Sequence, residues 1–390
     1  MKNTFDVVVI GGGIIGLSSA YYLLSSGKKV ALIEKNHIGS GASGACDDMI
    51  LLQSKKPGVL LEMAMESLNL YRHLSQELKI DIEFETRGGM ILIENQQQLE
   101  VMEPYVQKQR SYGLDVHLIE KRDVKKRHPF ATETVIASTY SDKDSQVNPL
   151  KVLRGFLGRS CEMGLALRKQ TRITELNKKN GCWNITCDQG APLESAYIVN
   201  AAGAWAADIG KLVGIDIPIV PQKGQIVVTE KIPTLGQENI WSAEYIVSKL
   251  LPDLMNTWDE LTRKLGVGFA FSQTHEGNYL IGSTRELGIF DKRTDFVALN
   301  ILVKQAVKFF PILKNINVIR CFAGLRPAVS DGTAIISEVA DRQGFYIAAG
   351  HGGDGIALAP ITGKLIAKLI NGEDVGFNMN DVSFQRFQKN

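Results

Sequence analysis

The strongest constraint on this chain lies in its first 34 residues. Phe5–Ile10 is a short, largely β-branched run, the pattern of a strand buried on both faces. Gly11-Gly12-Gly13-Ile14-Ile15-Gly16 follows, then a helix expected from about Ile15 to Ser26 and stopped by Gly27. Val30–Glu34 reads as a second buried strand. Strand, glycine turn, helix and strand in this compass make a complete mononucleotide-binding unit. Gly11 permits the tight turn, Gly13 lets a pyrophosphate reach the backbone, and Gly16 lets helix and strand pack closely. The helix start at Ile14 and Ile15 turns free N–H groups and a positive dipole end toward the phosphates. Glu34, followed by Lys35, ends the second strand where it can accept hydrogen bonds from ribose hydroxyls. A carboxylate there repels a 2′-phosphate, which disfavours NADP.

The same glycine spacing recurs at Gly39, Gly41 and Gly44 and at Gly350, Gly352 and Gly355. The first of these follows a loop; the second follows a strand, but the chain ends before a further strand and ribose acid. One complete unit implies one dinucleotide. Tyr197–Asn200 and Phe345–Ala349 are further buried strands, the latter feeding a helix to about Ile370 whose first turns must accommodate Pro360. After Pro57 a helix runs to about Leu78 with Leu60, Ala64, Leu68, Tyr71 and Leu74 along one side. Gly88–Glu94, Gln225–Glu230 and Tyr279–Ser283 look like antiparallel strands of another sheet. The expected fold is α/β. A discontinuous Rossmann-like cofactor domain comes from 1–85, 145–219 and 322–390, and an inserted, mainly antiparallel substrate domain from 86–144 and 220–321.

Charge and cysteine content narrow the function. A net charge of +2 over 390 residues gives no electrostatic case for nucleic acid or an anionic membrane. The basic cluster from Lys121 to His128 reads as the solvated end of a helix, and Lys55-Lys56 as a solvated pair. Cys46, Cys161, Cys182, Cys187 and Cys321 are scattered without a CxxC, so no disulfide framework and no metal site is implied. Val7–Leu24 is uncharged but broken by glycines, and it lacks the basic flank and cleavage site of a signal peptide. A cytoplasmic protein with no transmembrane segment is expected.

Beyond Glu34 the sequence resembles the D-amino-acid oxidase superfamily of flavoproteins over nearly its whole length. The resemblance is closest to glycine and sarcosine oxidases and to the catalytic subunits of proline or hydroxyproline dehydrogenases. It rests on VVVIGGGIIG with Glu34, GSGASG at 39–44, NAAGAW at 200–205, GLRPAVSDG at 324–332 and GHGGDGIALAPITGKLIAKLI at 350–370. The resemblance implies a non-covalent FAD. Gly41, Ala42 and Ser43 would meet its pyrophosphate, Ile173 its adenine, and Ala202 and Gly203 would pass close to it. Gly350, Gly352, Gly353, Asp354, Gly355 and Ile356 would approach the flavin, with the last helix aimed at the ring's carbonyl edge. Arg326 matches the arginine that clamps a substrate carboxylate, a role suited to a planar, two-pronged donor. Where glycine-oxidising relatives carry a tyrosine and a second arginine, this chain has Ala270 and Gly353, and Arg285 replaces a methionine of that pocket. Glycine is therefore disfavoured, with Arg285 a second substrate-binding residue. Cys321 is misplaced for a covalent flavin link. His351 needs no catalytic role, and Cys46 reads as a small packing residue.

The expected activity is oxidation of the Cα–N bond of a small amino or imino acid, proline or hydroxyproline type favoured, to the imine. No side chain is required as a catalyst, since the flavin accepts the hydride. Alternatives are a glycine- or sarcosine-type oxidase using oxygen, an NAD-dependent dehydrogenase, or a non-catalytic electron-transfer flavoprotein subunit. A companion subunit could take the electrons. Leu250, Leu254, Trp258, Leu261 and Leu265 would form an apolar helical stripe that docks it, or that lies on the chain's own substrate domain.

Overall fold

In the computed structural model, which describes residues 3–251 and 260–388, two large sheets divide the chain. The first is built around Thr4–Ile10. Val30–Ile33 lies parallel to it on one side and Leu193–Asn200 on the other, with Val7 opposite both Val30 and Tyr197. Phe345–Ala349 adds in parallel beyond Leu193–Asn200. Side chains alternate across this sheet. Val7 and Val9 pack among helices, whereas Val8 and Ile10 meet Ile173, Trp183 and Ile185 on the opposite face. All three valines are fully buried, as a strand covered on both faces requires.

Helices Ile14–Ser25 and Gly355–Asn371 cross closely over that sheet. A Cβ on Gly363 would collide with Ser18, whose hydroxyl instead donates to Ala359 O at 2.8 Å. Pro360 lies inside the second of these helices and has no N–H to offer the carbonyl of Ile356. Tyr71 makes good that loss, its hydroxyl donating to Ile356 O at 2.7 Å. Tyr71 belongs to Val59–Leu78, which buries the face predicted from its periodicity.

The second sheet is mainly antiparallel. Ile219–Lys231 pairs along its length with Val318–Val329, placing Gln222 opposite Arg326 and Gly224 opposite Gly324. On its other edge the sheet runs through Asn278–Gly282, Ala270–Gln273 and Asn239–Ser242 to Gly89–Ile93, the last two strands being parallel. Its core is aromatic, with Phe269 stacked on Phe309 at 4.7 Å.

Three sequence expectations need correction. The apolar stripe is not one helix: Ala243–Leu250 ends at Leu251, and Glu260–Leu265 is separate. Leu251 precedes Pro252, whose ring pushes the preceding residue out of helical conformation. Leu250 and Leu261 are exposed while Leu265 is buried, and Leu254 and Trp258 lie outside the described residues. Lys55 is not solvated; its side chain is 1% exposed and pairs with Asp354 at 2.7 Å. Lys121–Arg127 is a helix, but His128 at its end is buried against Glu238 at 3.1 Å. No described helix is long and apolar enough to cross a membrane.

Candidate active site

A cavity of about 510 Å³ opens where the strands of the first sheet end, lined by Ile10, Ile33, Ala201 and Ala349, and reaches Gly224 and Arg326 of the second sheet. At one end the helix Ile14–Ser25 begins without a capping side chain from Gly13 and with no acid in its first turn, so its positive end is left for an anion. Gly11 has φ +113°, and a Cβ there would strike Ala201 O. A Cβ on Gly16 would strike Gly11 O, so this glycine serves the turn and does not line the cavity. Ile14 N–H donates to Ser43 Oγ at 3.0 Å, and a Cβ on Gly13 would sit 3.2 Å from that oxygen. Gly44 reproduces the relation of Gly16 to Gly11: its Cβ would strike Gly39 O. The look-alike motif thus builds a tight turn that carries Gly41, Ala42 and Ser43 into the wall.

The Glu34 carboxylate is oriented by Gly12 N–H and Asn36 N–H, each at 2.7 Å, and two oxygens retain lone pairs toward the cavity it lines. Lys35 lies 3.7 Å from the centroid of the Trp205 ring, and burial holds its pKa below the usual lysine range against the pull of Glu34. Ile15, Ile173, Ala202 and Gly203 line the same stretch. A bare helix start, a glycine floor and a fixed carboxylate fit the pyrophosphate and ribose of a dinucleotide such as FAD.

At the other end stands Arg326. Its Nη1 donates to Thr284 O at 2.9 Å and its Nη2 to Ser283 Oγ at 2.7 Å, which fixes the plane of the guanidinium and leaves three N–H donors. A Cβ on Gly224 would fall on the guanidinium itself, and one on Gly353 would lie 3.6 Å from Nε. Gly352, Gly353, Gly355, Ile356 and His351 complete this part of the wall. His351 is kept neutral, burial pushing its pKa down to about 4, and its Nε2 sits 3.0 Å from Thr362 Oγ1. Burial raises the Cys46 thiol well above its ordinary range, so the cysteine in the wall is protonated. Cys321 pairs opposite Val227 on the second sheet, outside the wall.

Gly350, Asp354 and Arg285 also stand outside the wall. Asp354 holds the N-cap position of the last helix without a side-chain capping bond, and it accepts from Lys55. Arg285 stacks on Tyr245 at 3.8 Å and donates to Gly266 O at 3.3 Å, directly after the two residues that hold Arg326. Asp47, Gly224 and the Lys55–Asp354 pair escape sequence reasoning. They meet through contacts between residues far apart in the chain, and only the Trp205 position carried a signal, within NAAGAW.

The family model described as "FAD dependent oxidoreductase" matches residues 6–369. The crystal structure of glycine oxidase from Geobacillus kaustophilus superposes with a TM-score of 0.88 at 25% identity, covering 100% of both chains. That of L-proline dehydrogenase from P. horikoshii gives 0.85 at 25% identity, over 98% of this chain and 96% of that one. The hydrogen cyanide synthase subunit HcnC of Pseudomonas aeruginosa is 26% identical over 100% of this chain and 97% of its own. With a family match of that extent laid over this cavity, the chain belongs to the FAD dependent oxidoreductase family.

Proposed function

We propose that this enzyme oxidises the Cα–N bond of a small amino or imino acid, proline type favoured, with its electrons passing to an acceptor. The observation that carries this reading is Arg326: a fixed guanidinium with spare donors at the end of a dinucleotide-sized cavity. FAD supplies a two-electron acceptor for the hydride when bound. Arg326 grips the substrate carboxylate and so fixes the direction of its Cα–H bond. Gly13, Ile14 and Ser43 hold the pyrophosphate, Glu34 the ribose, and the start of Gly355–Asn371 places a positive dipole end at the far wall. Arg285 braces the 283–285 segment and adds positive potential to the substrate end. Gly353, in the wall beside Arg326, leaves space that a cyclic side chain can fill.

The residues 1–85, 145–219 and 322–390 serve the cofactor, and 86–144 with 220–321 roof it. Sheet membership supports this division, apart from Val318–Val329, which straddles 322, and the one-residue overlaps of Ile219–Lys231 at 219 and Glu85–Thr86 at 85. A glycine-type oxidase is the second reading, favoured by the similarity to glycine oxidase. Arg326→Ala tests the first: FAD stays bound while kcat/KM falls by about 2–5 kcal/mol, the scale for losing one partner of a desolvated charge pair. Unchanged kinetics would remove the carboxylate clamp.

A further inference from the structure

We propose that Asp47 receives the substrate amine: its carboxylate accepts an N–H from the nitrogen bound beside Arg326 and takes the proton of a substrate ammonium. The proposal rests on the amino-acid reading above and assigns the residue that completes it. Asp47 lines the cavity together with Arg326 and Gly353. Its neighbour Asp48 is instead buried and held by Ser272 Oγ at 2.6 Å. Asp47 Oδ1 receives a long contact from Met49 N–H at 3.5 Å, and Oδ2 receives no hydrogen bond among the described residues.

Among the described residues none of the nearby cations donates a hydrogen bond to Asp47, and Arg326 keeps its spare donors for the substrate carboxylate. Lys55 pairs with Asp354, Arg326 donates to Thr284 and Ser283, and Arg285 stacks on Tyr245. Asp48, whose own pKa burial raises, offers no cation, and the Cys46 thiol is neutral. Asp47 thus forms no ion pair among the described residues, although a half-buried carboxylate gains from a donor or a cation that offsets its lost hydration. A substrate whose carboxylate sits on Arg326 brings an amine nitrogen two bonds away, which supplies that donor. Burial raises the Asp47 pKa against the opposing pull of Arg326, and a stronger base is better matched to an ammonium.

In the step, an N–H bond of the ammonium breaks and an O–H bond forms on Asp47, giving a neutral acid and a neutral amine. The freed lone pair then becomes part of the C=N bond as the Cα–H hydride leaves. The proton on Asp47 returns to water when the product departs.

Asp47→Asn in the FAD-loaded full chain tests the assignment with analogues that lack a Cα–H or an amine. 2-Methylproline and 2-aminoisobutyrate keep the amine; tetrahydro-2-furoate and isobutyrate replace or lack it. By calorimetry the variant should bind the amine-bearing member of the preferred pair about tenfold more weakly and the amine-free member within about twofold of wild type. Its anaerobic flavin reduction by substrate should climb about tenfold per pH unit until the substrate ammonium itself titrates. Equal loss of both analogues, loss of neither, or an unshifted pH profile would each overturn the role of Asp47. Failure of wild type to bind either pair would sink the amino-acid reading first, and the role of Asp47 with it.

Discussion

Arg326 and Gly224 behave as a unit, because the space the guanidinium occupies is the space a side chain on Gly224 would take. Gly224→Val should therefore keep FAD but displace the arginine, and its loss of kcat/KM should approach that of Arg326→Ala. Wild-type kinetics in that variant would mean the guanidinium has another seat. Asp48 invites a stability test. Burial raises its pKa from 3.8 to about 7, so the folded state holds a proton that the unfolded state releases. Its contribution to stability is then fully present at low pH and is lost as pH rises from about 4 to about 7. Asp48→Asn should flatten that part of the pH–stability curve, read from denaturant melts; an unchanged slope would place the titration elsewhere. At this scale the sequence was only partly legible. Arg326 emerged through resemblance, whereas Lys55 was misread because its partner Asp354 lies at the other end of the chain.

Elements were easier to read where a local rule fixes them. The strand–turn–helix–strand of the first 34 residues needs only its own glycines and β-branched residues, and it stands where the spacing put it. Pro360 was a puzzle of the same kind that local rules could raise but not resolve, since the answer is the hydroxyl of Tyr71 on another helix. Tyr71→Phe leaves Ile356 O buried without that donor and should cost about 1–3 kcal/mol in a urea melt. A loss near zero would mean the helix relaxes around the proline. At the start of Ile14–Ser25, replacing Gly13 by Val should give apo-protein, because the added side chain would occupy the proposed pyrophosphate cradle between Ile14 and Ser43. Retained yellow colour after purification would contradict that role. The predicted stripe breaks after Leu250, since periodicity ignores the proline that follows Leu251, and its Leu254 and Trp258 lie outside the described residues.

For the whole molecule, the two sheets meet at one cavity: the first presents strand ends and a helix start to it, and the second brings Arg326 to it. The two sheets were visible as buried strands scattered along the chain, but the meeting of Gly224, Gly324 and the 45–47 loop was not. It depends on strands 219–231 and 318–329 pairing in one register. With Cys321 outside the wall and the Cys46 thiol protonated, acid should release all the flavin as free FAD, and colour in the precipitate would reveal a covalent bond. The most direct test of amino-acid oxidation is anaerobic mixing of the holoenzyme with D-, L-, N-methyl and cyclic amino acids while following the flavin absorbance. Proline-type imino acids should bleach it fastest in wild type and hardly at all in Arg326→Ala. Faster bleaching by glycine would transfer the enzyme to the second reading, and no bleaching by any amino or imino acid would contradict the function itself.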